Sequence, residues 1–286
     1  MADSIVQAFV EQYSDNVHHL SQQKGSKLRP YVREEALTGR SLYFERLGLA
    51  TASLKTKRNA PTPLNDITHS RRRVQPADYE WAQPIDFQDK LRMLIDPEGD
   101  YVVAGVNAFG RAIDDVIIAA FDAVAQTGQS GTGTQAYDTS NDVAVGTTNL
   151  TVEKLRSAKL ILDNADVPEE DRYMVVSPSG IIALTKETEV TSMDYNTQRV
   201  LVNGMVDSFF GFKFISSTRL PVASSVRTCF FWHRSAMGMV TPADVKVRID
   251  ERPDMSYATQ VYISMSLGAT RIEEALVGRV YIDETA

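Results

Sequence analysis

The chain has 286 residues, of which 43% are hydrophobic and 23% are charged, so it can bury a sizeable core and is not a disordered chain. Its single cysteine excludes an internal disulfide and any zinc site built on several cysteines. The net charge of −7 combines 14 Lys/Arg against 11 Asp/Glu in residues 1–95 with 16 against 26 in the remainder, a balance unlike that of a dedicated nucleic-acid reader.

The N-terminal part of the chain predicts an amphipathic helix followed by an arm without a core of its own. Seven apolar residues among the first twenty fall on one helical stripe: Ile5, Val6, Phe9, Val10, Tyr13, Val17 and Leu20. Residues 26–60 mix short apolar pieces with polar spacers and follow no single period. We therefore expect residues 1–60 to lie along another surface, either the body of their own chain or a neighbouring molecule.

The sequence also bears on membranes and secretion. No segment reaches the roughly 20 consecutive apolar residues that a membrane span needs. The N-terminus lacks the features of a signal peptide, because Asp3 stands where a basic region is required and Glu11 and Asp15 interrupt any apolar stretch. We expect a protein that is made and used in a cytoplasm-like setting, with no membrane partner.

Residues 61–95 have the composition of a contact surface. An arginine triplet is followed by two aromatic residues, a combination that is enriched at interfaces: Arg71, Arg72, Arg73, Tyr79 and Trp81. From residue 72 to residue 87 the pattern alternates loosely, which predicts an extended loop with two strands. A solvated hairpin without a contact function is the alternative interpretation.

The strongest local pattern predicts a long amphipathic helix from Asp96 to about residue 126. Asp96 can cap this helix, Pro97 suits its first turn, and apolar residues then recur at steps of three and four. Such a helix is about 45 Å long, so it can serve as a backbone on which other elements are laid. The Gly/Ser/Thr-rich residues 127–149 predict a flexible loop.

The remaining residues predict a mixed helix and strand domain and then a series of strands. A helix starts at Thr151, a buried strand covers residues 173–176, and a short helix follows a Ser-Pro turn. Beyond residue 199 the pattern is mostly β. The predicted strands cover the following residues: 206–215 with an interruption at Gly211, 226–232, 245–249, 257–267 and 276–282.

Convergent catalytic or metal-binding groups are not evident in the sequence. The four histidines have no partners at metal-ligand spacing: His18, His19, His69 and His233. Cys229 lies in an apolar run, and such surroundings raise the pKa of a thiol and make it inert. Asp114 and Asp115 are neighbours that diverge on a helix, where they form a polar edge. We expect no catalytic site, no cofactor and no metal.

The order of these elements resembles the major coat proteins of tailed bacteriophages with the Hong Kong 97-type fold. Those proteins combine an N-terminal arm, an extended loop, one long spine helix, an α+β domain and returning C-terminal strands. Four stretches carry the resemblance: FQDKLR at 87–92 leading through Asp96 into the helix, YMVVSPSG at 173–180, FGFKFISS at 210–217 followed by Leu220-Pro221, and AMG at 236–238. In this order and spacing, the resemblance covers nearly the whole chain.

The resemblance implies an α+β subunit that is divided into five parts. These are an N-terminal arm at 1–60, an extended loop at 61–95, a spine helix with part of a peripheral domain at 96–149, an axial domain at 150–244, and returning peripheral strands at 245–286. The axial domain would group around the five- and six-fold positions of a shell.

The resemblance further implies that the chain self-assembles, as hexamers and pentamers, into an icosahedral shell. Its other partners would be a scaffolding protein, a portal, and packaged double-stranded DNA that meets the inner face without sequence specificity. The subunit would assemble in the bacterial host cytoplasm and reside in the virion capsid. The residues expected at contacts between subunits are Phe9, Tyr13, Arg71, Arg72, Arg73, Tyr79, Trp81 and Lys90.

Two alternatives stay open on the sequence alone. An encapsulin shares this fold and would form a compartment that holds a cargo protein instead of a genome. A soluble enzyme of an unrelated α+β fold would remain a monomer or a small oligomer.

Overall fold

The computed structural model describes residues 22–59, 64–86, 98–187 and 208–285. Within these ranges the chain forms helices α1 (Glu98–Asp122), α2 (Val152–Asn164) and α3 (Pro178–Lys186), and it combines them with three sheets. The α+β class predicted from the sequence is confirmed. None of the helices in the described ranges has both the length and the apolar character needed to cross a membrane.

The strands are numbered in chain order. They are β1 (Arg33–Ala36), β2 (Leu42–Leu47), β3 (His69–Val74), β4 (Ala77–Ile85), β5 (Ala125–Thr127), β6 (Gly133–Gln135), β7 (Asp142–Val143), β8 (Arg172–Val176), β9 (Ser208–Phe209), β10 (Phe212–Ser216), β11 (Val222–Ala223), β12 (Val226–His233), β13 (Met237–Arg252), β14 (Ala258–Arg271) and β15 (Val277–Asp283). In the described residues they form a four-stranded sheet β1-β13-β14-β4, a second four-stranded sheet β2-β3-β5-β6, and a seven-stranded sheet β7-β15-β12-β8-β10-β9 in which β11 pairs with β12.

The contacts divide the described residues into two units. The smaller unit contains residues 22–25, 79–86, 98–111 and 245–265, and the larger unit contains the rest. Helix α1 and strands β13 and β14 contribute residues to both units.

The larger unit is built around the seven-stranded sheet. All five residues of β8 are buried, which fits a strand covered on both faces. Aromatic rings pack in its core, with Phe121 4.9 Å from Phe230 and 4.8 Å from Trp232 between ring centroids. Side chains cap the N-termini of α2 and α3: Thr151 accepts a hydrogen bond from the Lys154 amide, and Ser177 accepts one from the Gly180 amide.

The smaller unit packs the first half of α1 on strand β14. Apolar residues alternate along this strand, so Val261 and Ile263 are fully buried on one face. A Cβ atom added at Gly105 of α1 would lie only 2.4 Å from the Ile263 Cδ1 atom and 3.0 Å from the Trp81 ring. The glycine therefore allows the helix and the sheet to approach more closely than any other residue would.

Two sequence predictions change in local detail. Residues 127–149, expected to be a flexible loop, contain β6, β7 and part of β5, because Gly128 and Gly131 (φ +89° and +70°) build the turn between β5 and β6. The strand expected at 206–215 is instead the pair β9 and β10, and the chain reverses at Phe210 and Gly211, whose φ angles are +51° and +81°.

The strand pairing adds detail to the expected division of the chain, whose bounds stay a prediction. In the described residues β3 pairs with β2 and β5 while β4 pairs with β14, so β3 and β4 do not pair with each other there. Residues 26–47 contribute to the core of their own chain, with Leu28 and Phe44 buried. Strand β15, assigned from the resemblance to the peripheral part, lies in the seven-stranded sheet beside β12.

Candidate inter-subunit surface

Strands β2 and β3 form an antiparallel pair whose two faces differ. Phe44 lies opposite Arg72, and Glu45 lies opposite Arg71. Because side chains alternate between the faces of a strand, Phe44 and Arg72 share one face and Glu45 and Arg71 share the other. The first face is covered by the chain itself, in an apolar cluster with Leu37, Val74, Val240 and Ile272. The second face is open to solvent.

The arginine triplet is therefore divided between the two faces. Arg71 is exposed and its guanidinium lies 2.8 Å from a Glu45 carboxylate oxygen. Arg73 is half-buried, and the aliphatic part of its side chain packs against Gly131. A Cβ atom added at Gly131 would lie 2.2 Å from the Arg73 Cδ atom. Arg72 is only 5% exposed and lies 3.0 Å from Glu274. Of the three, Arg71 has the most surface that another molecule could contact.

The segment that joins β2 to β3 exposes several large apolar side chains. This exposed loop, residues 48–59 and 64–68 of the described chain, is closed at its base by a 2.7 Å hydrogen bond from the Gly48 amide to the Thr68 carbonyl. Leu49, Leu54 and Leu64 are 99%, 88% and 96% exposed. Single exposed leucines are common, but a group of them in one segment is typical of a surface that another molecule covers.

Tyr79 and Trp81 lie on strand β4 in the smaller unit. Both are half-buried, and the Trp81 ring packs on α1 near Gly105. The exposed part of Trp81 borders a groove whose other walls are mainly charged residues: Glu80, Arg248, Asp250, Arg252 and Tyr262. Trp81 is thus partly a core residue of its own chain, and only its outer edge is accessible.

A second apolar surface was not identified from the sequence. The outer part of β13, the turn after it and the start of β14 leave four large apolar side chains 41% to 67% exposed: Val247, Ile249, Met255 and Tyr257. The sequence pattern does show alternating apolar residues at 245–249, but alternation indicates that one face is apolar and not whether the same chain covers it.

Three of the residues expected at contacts lie outside the described residues. These are Phe9, Tyr13 and Lys90. Their role at contacts between subunits stays a prediction.

A buried carboxylate on α1 holds the chain segment that follows the N-terminal region. Asp114 is fully buried, and it accepts hydrogen bonds from the Ser26 hydroxyl at 2.5 Å and from the amides of Lys27 and Leu28 at 3.1 and 3.0 Å. Tyr31, a few residues after Leu28, is also held: its carbonyl accepts a hydrogen bond from the Trp232 indole at 3.0 Å. Residues 26–31 are therefore fixed on the larger unit.

The described residues offer little to reaction chemistry. Cys229 is fully buried, and burial raises the pKa of its thiol to about 12. His233 accepts a hydrogen bond from the Ser235 amide, and burial lowers the pKa of its imidazole. Among the residues that the structure describes, no three His, Cys, Asp or Glu side chains are grouped to hold a metal ion.

Comparisons with known proteins match these features to one family. The family model described as a phage capsid protein matches residues 5–284. A comparison with curated protein sequences finds no match.

Solved capsid structures share the fold of the chain. The capsid protein of cyanophage P-SCSP1u superposes with a TM-score of 0.78 at 18% identity, covering 99% of this chain and 95% of its own. That of cyanophage Pam1 gives a TM-score of 0.75 at 13% identity, covering 99% of both chains. The capsid protein of a native GTA particle gives 0.71 at 16% identity, covering 98% and 97%. The chain therefore belongs to the phage capsid protein family, with the Hong Kong 97-type fold, and it is a shell-forming major capsid protein.

Proposed function

We propose that copies of this chain pack as hexamers and pentamers into a closed icosahedral shell around a double-stranded DNA genome. The shell is assembled in the cytoplasm of the bacterial host, with a scaffolding protein and a portal as partners, and becomes the virion capsid. The subunit acts through its surfaces and carries out no catalysis. The family match supports this function over a cargo-holding encapsulin or a soluble enzyme.

The two units suggest how the subunit is divided within the shell. We assign the axial domain to residues 150–244 together with β15, because β15 pairs with β12 in the seven-stranded sheet. The peripheral domain then comprises the first half of α1, β4, and the parts of β13 and β14 that lie in the smaller unit. DNA meets the inner face through its backbone charge, without base-specific contacts.

The observation that carries the proposal is the exposed loop. Fully burying a leucine side chain stabilises a complex by about 1.5–3 kcal/mol, and Leu49, Leu54 and Leu64 are at least 88% exposed. A neighbouring copy of the chain covers them in the shell. Summed over a closed assembly, many such modest contacts exceed the entropic cost of association.

The polar and aromatic residues expected at contacts fall in different units and are assigned separately. We assign Arg71 to the rim of the contact made by the exposed loop, and the exposed edges of Tyr79 and Trp81 to a separate contact of the smaller unit, because charged and aromatic side chains are common at interfaces. Arg72 is left out of this rim, because it is buried against Glu274 in its own chain. Arg73 contributes at most its guanidinium end.

Negative-stain microscopy of the purified full-length chain, with and without a co-expressed scaffolding protein, tests the proposal. The unmodified chain is expected to form closed shells, and the triple variant L49S/L54S/L64S to remain as small oligomers with an unchanged thermal unfolding midpoint. The matched control L49M/L54M/L64M keeps the apolar surface and should still assemble. If the unmodified chain forms only small particles under all conditions, including high protein concentration, the proposed function is wrong.

A further inference from the structure

A cluster of buried charges lies at the base of the β2–β3 pair. Glu274, in the segment between β14 and β15, accepts hydrogen bonds from the Arg72 guanidinium at 3.0 Å to both of its carboxylate oxygens. The Arg46 guanidinium lies 3.3 Å from one of them. Arg46 and Arg72 are on the inner faces of β2 and β3, the two strands that carry the exposed loop. One carboxylate therefore holds both strands.

The same carboxylate is linked to the end of the spine helix. Arg271 is fully buried, and its Nε lies 3.9 Å from Glu274. Its guanidinium donates to the carbonyls of Phe121 at 2.7 Å and Ala123 at 3.0 Å. The last carbonyls of a helix lack partners within the helix, and a cation stabilises that end. α1 has no basic residue in its last turn, and Arg271, at the end of strand β14, provides this cation instead.

The charge balance at the base of the pair depends on Glu274. Three arginines meet there, and the Nε atoms of Arg72 and Arg271 are buried without a hydrogen-bond partner. Glu274 is largely buried itself, whereas the neighbouring Glu273 is 44% exposed and lies 3.6 Å from Arg46. Because removing one partner leaves a buried charge without compensation, the loss of the Glu274 charge has a large effect and the loss of the Glu273 charge a small one.

We infer that Glu274 is a positioning residue that fixes the direction in which the β2–β3 pair and its exposed loop leave the body of the subunit, and that it thereby sets the curvature of the assembled shell. This inference rests on the proposed shell function. It follows from geometry: backbone pairing joins only β3 to β5, the strand that follows α1. Glu274 contacts arginines of both β2 and β3 as well as the Arg271 that binds the end of α1, so the angle of the pair to the helix depends on this contact.

Full-length E274Q and its matched control E273Q test the inference. Both variants lose one negative charge at adjacent positions. In E274Q, hydrogen exchange at residues 42–47 and 69–74 should accelerate about tenfold or more, since a charge-assisted contact is replaced by a weaker neutral one. By microscopy, E274Q particles should have a broader or shifted distribution of diameters, while E273Q particles match the unmodified chain.

The outcomes separate this inference from the proposed function. If the unmodified chain and both variants form particles with the same diameters, Glu274 does not set curvature, and the shell function stands. If the unmodified chain forms no shell, the proposed function itself fails. Should E274Q not fold, R46M replaces it, because it removes the contact of Glu274 with β2 and leaves the Arg72 and Arg271 contacts in place. Particles of R46M that are identical to those of the unmodified chain would overturn the inference.

Discussion

At the scale of single residues, two adjacent aspartates on α1 have opposite roles. Asp115 is half-buried, and its partly exposed side chain forms an ion pair with Arg219. Asp114 is fully buried and accepts hydrogen bonds from three donor groups in residues 26–28. The sequence predicts only a polar edge at these positions, because it shows that neighbouring helical residues diverge but not which of them meets another segment.

We predict that Asp114→Ala destabilises the chain by about 2–4 kcal/mol, because it leaves two amides and a hydroxyl without their acceptor. Asp115→Ala should cost at most about 1 kcal/mol, as is usual for an exposed ion pair. Urea unfolding followed by circular dichroism measures both values. Equal losses in the two variants would show that Asp114 does not anchor residues 26–28.

At the scale of elements, close backbone approach to α1 is the clearest constraint. Gly25, with φ of +68°, lies against Gly110, so that a Cβ atom added at Gly110 would be 2.4–2.7 Å from three backbone atoms of Gly25. Backbone atoms cannot move aside as the end of a flexible side chain can. Gly99 lies in the same helix, and no atom of the described residues comes within 4 Å of a Cβ atom added there.

Gly110→Ala and Gly99→Ala therefore form a matched pair that should change the free energy of unfolding in opposite directions. In an open helical position, alanine stabilises a helix by up to about 1 kcal/mol relative to glycine, so Gly99→Ala should be neutral or slightly stabilising. Gly110→Ala should cost about 1–3 kcal/mol, because the overpacked contact displaces residues 22–25. Thermal unfolding distinguishes the two, and an unchanged midpoint for Gly110→Ala would contradict the close approach.

The sequence predicts most of these elements and few of their partners. The period of apolar residues locates α1, β8, β12 and β14 to within a few residues, because it reports which face of an element is buried. The period does not show which other element covers that face. From the sequence, Arg72 is therefore expected at a contact between subunits, because its counter-ion, Glu274, is 202 residues further along the chain. The triplet predicts a contact region, but only the strand register shows that Arg71 lies on the outer face of the pair.

At the scale of the whole molecule, the residues described from 22 onward contain a buried core. Leu28 and Phe44 are buried in it, and the contacts of Asp114 begin at Ser26. The N-terminal amphipathic helix expected from the sequence lies outside the described residues. Its apolar stripe stays a prediction, and we expect it to serve contacts with neighbouring subunits.

We predict that deleting residues 1–21 leaves the thermal unfolding midpoint nearly unchanged and impairs shell assembly. Deleting residues 1–28 should also destabilise the subunit, because it removes the buried Leu28 side chain and the donors to Asp114. Calorimetry and light scattering of the two truncated chains test this difference. If the chain that lacks residues 1–21 were unfolded, the N-terminal helix would belong to the core of its own subunit.

The position of β15 has a consequence for biosynthesis. This strand lies between β7 and β12, and it pairs with β12 at seven positions, from Val226 with Asp283 to Trp232 with Val277. Until the ribosome has made residues 277–283, one edge of β12 has no partner, and pairing over long sequence separation comes late in folding. A translation product interrupted before this strand cannot complete the sheet. We therefore expect chains that end before residue 277 to remain incompletely folded and to be excluded from the particle.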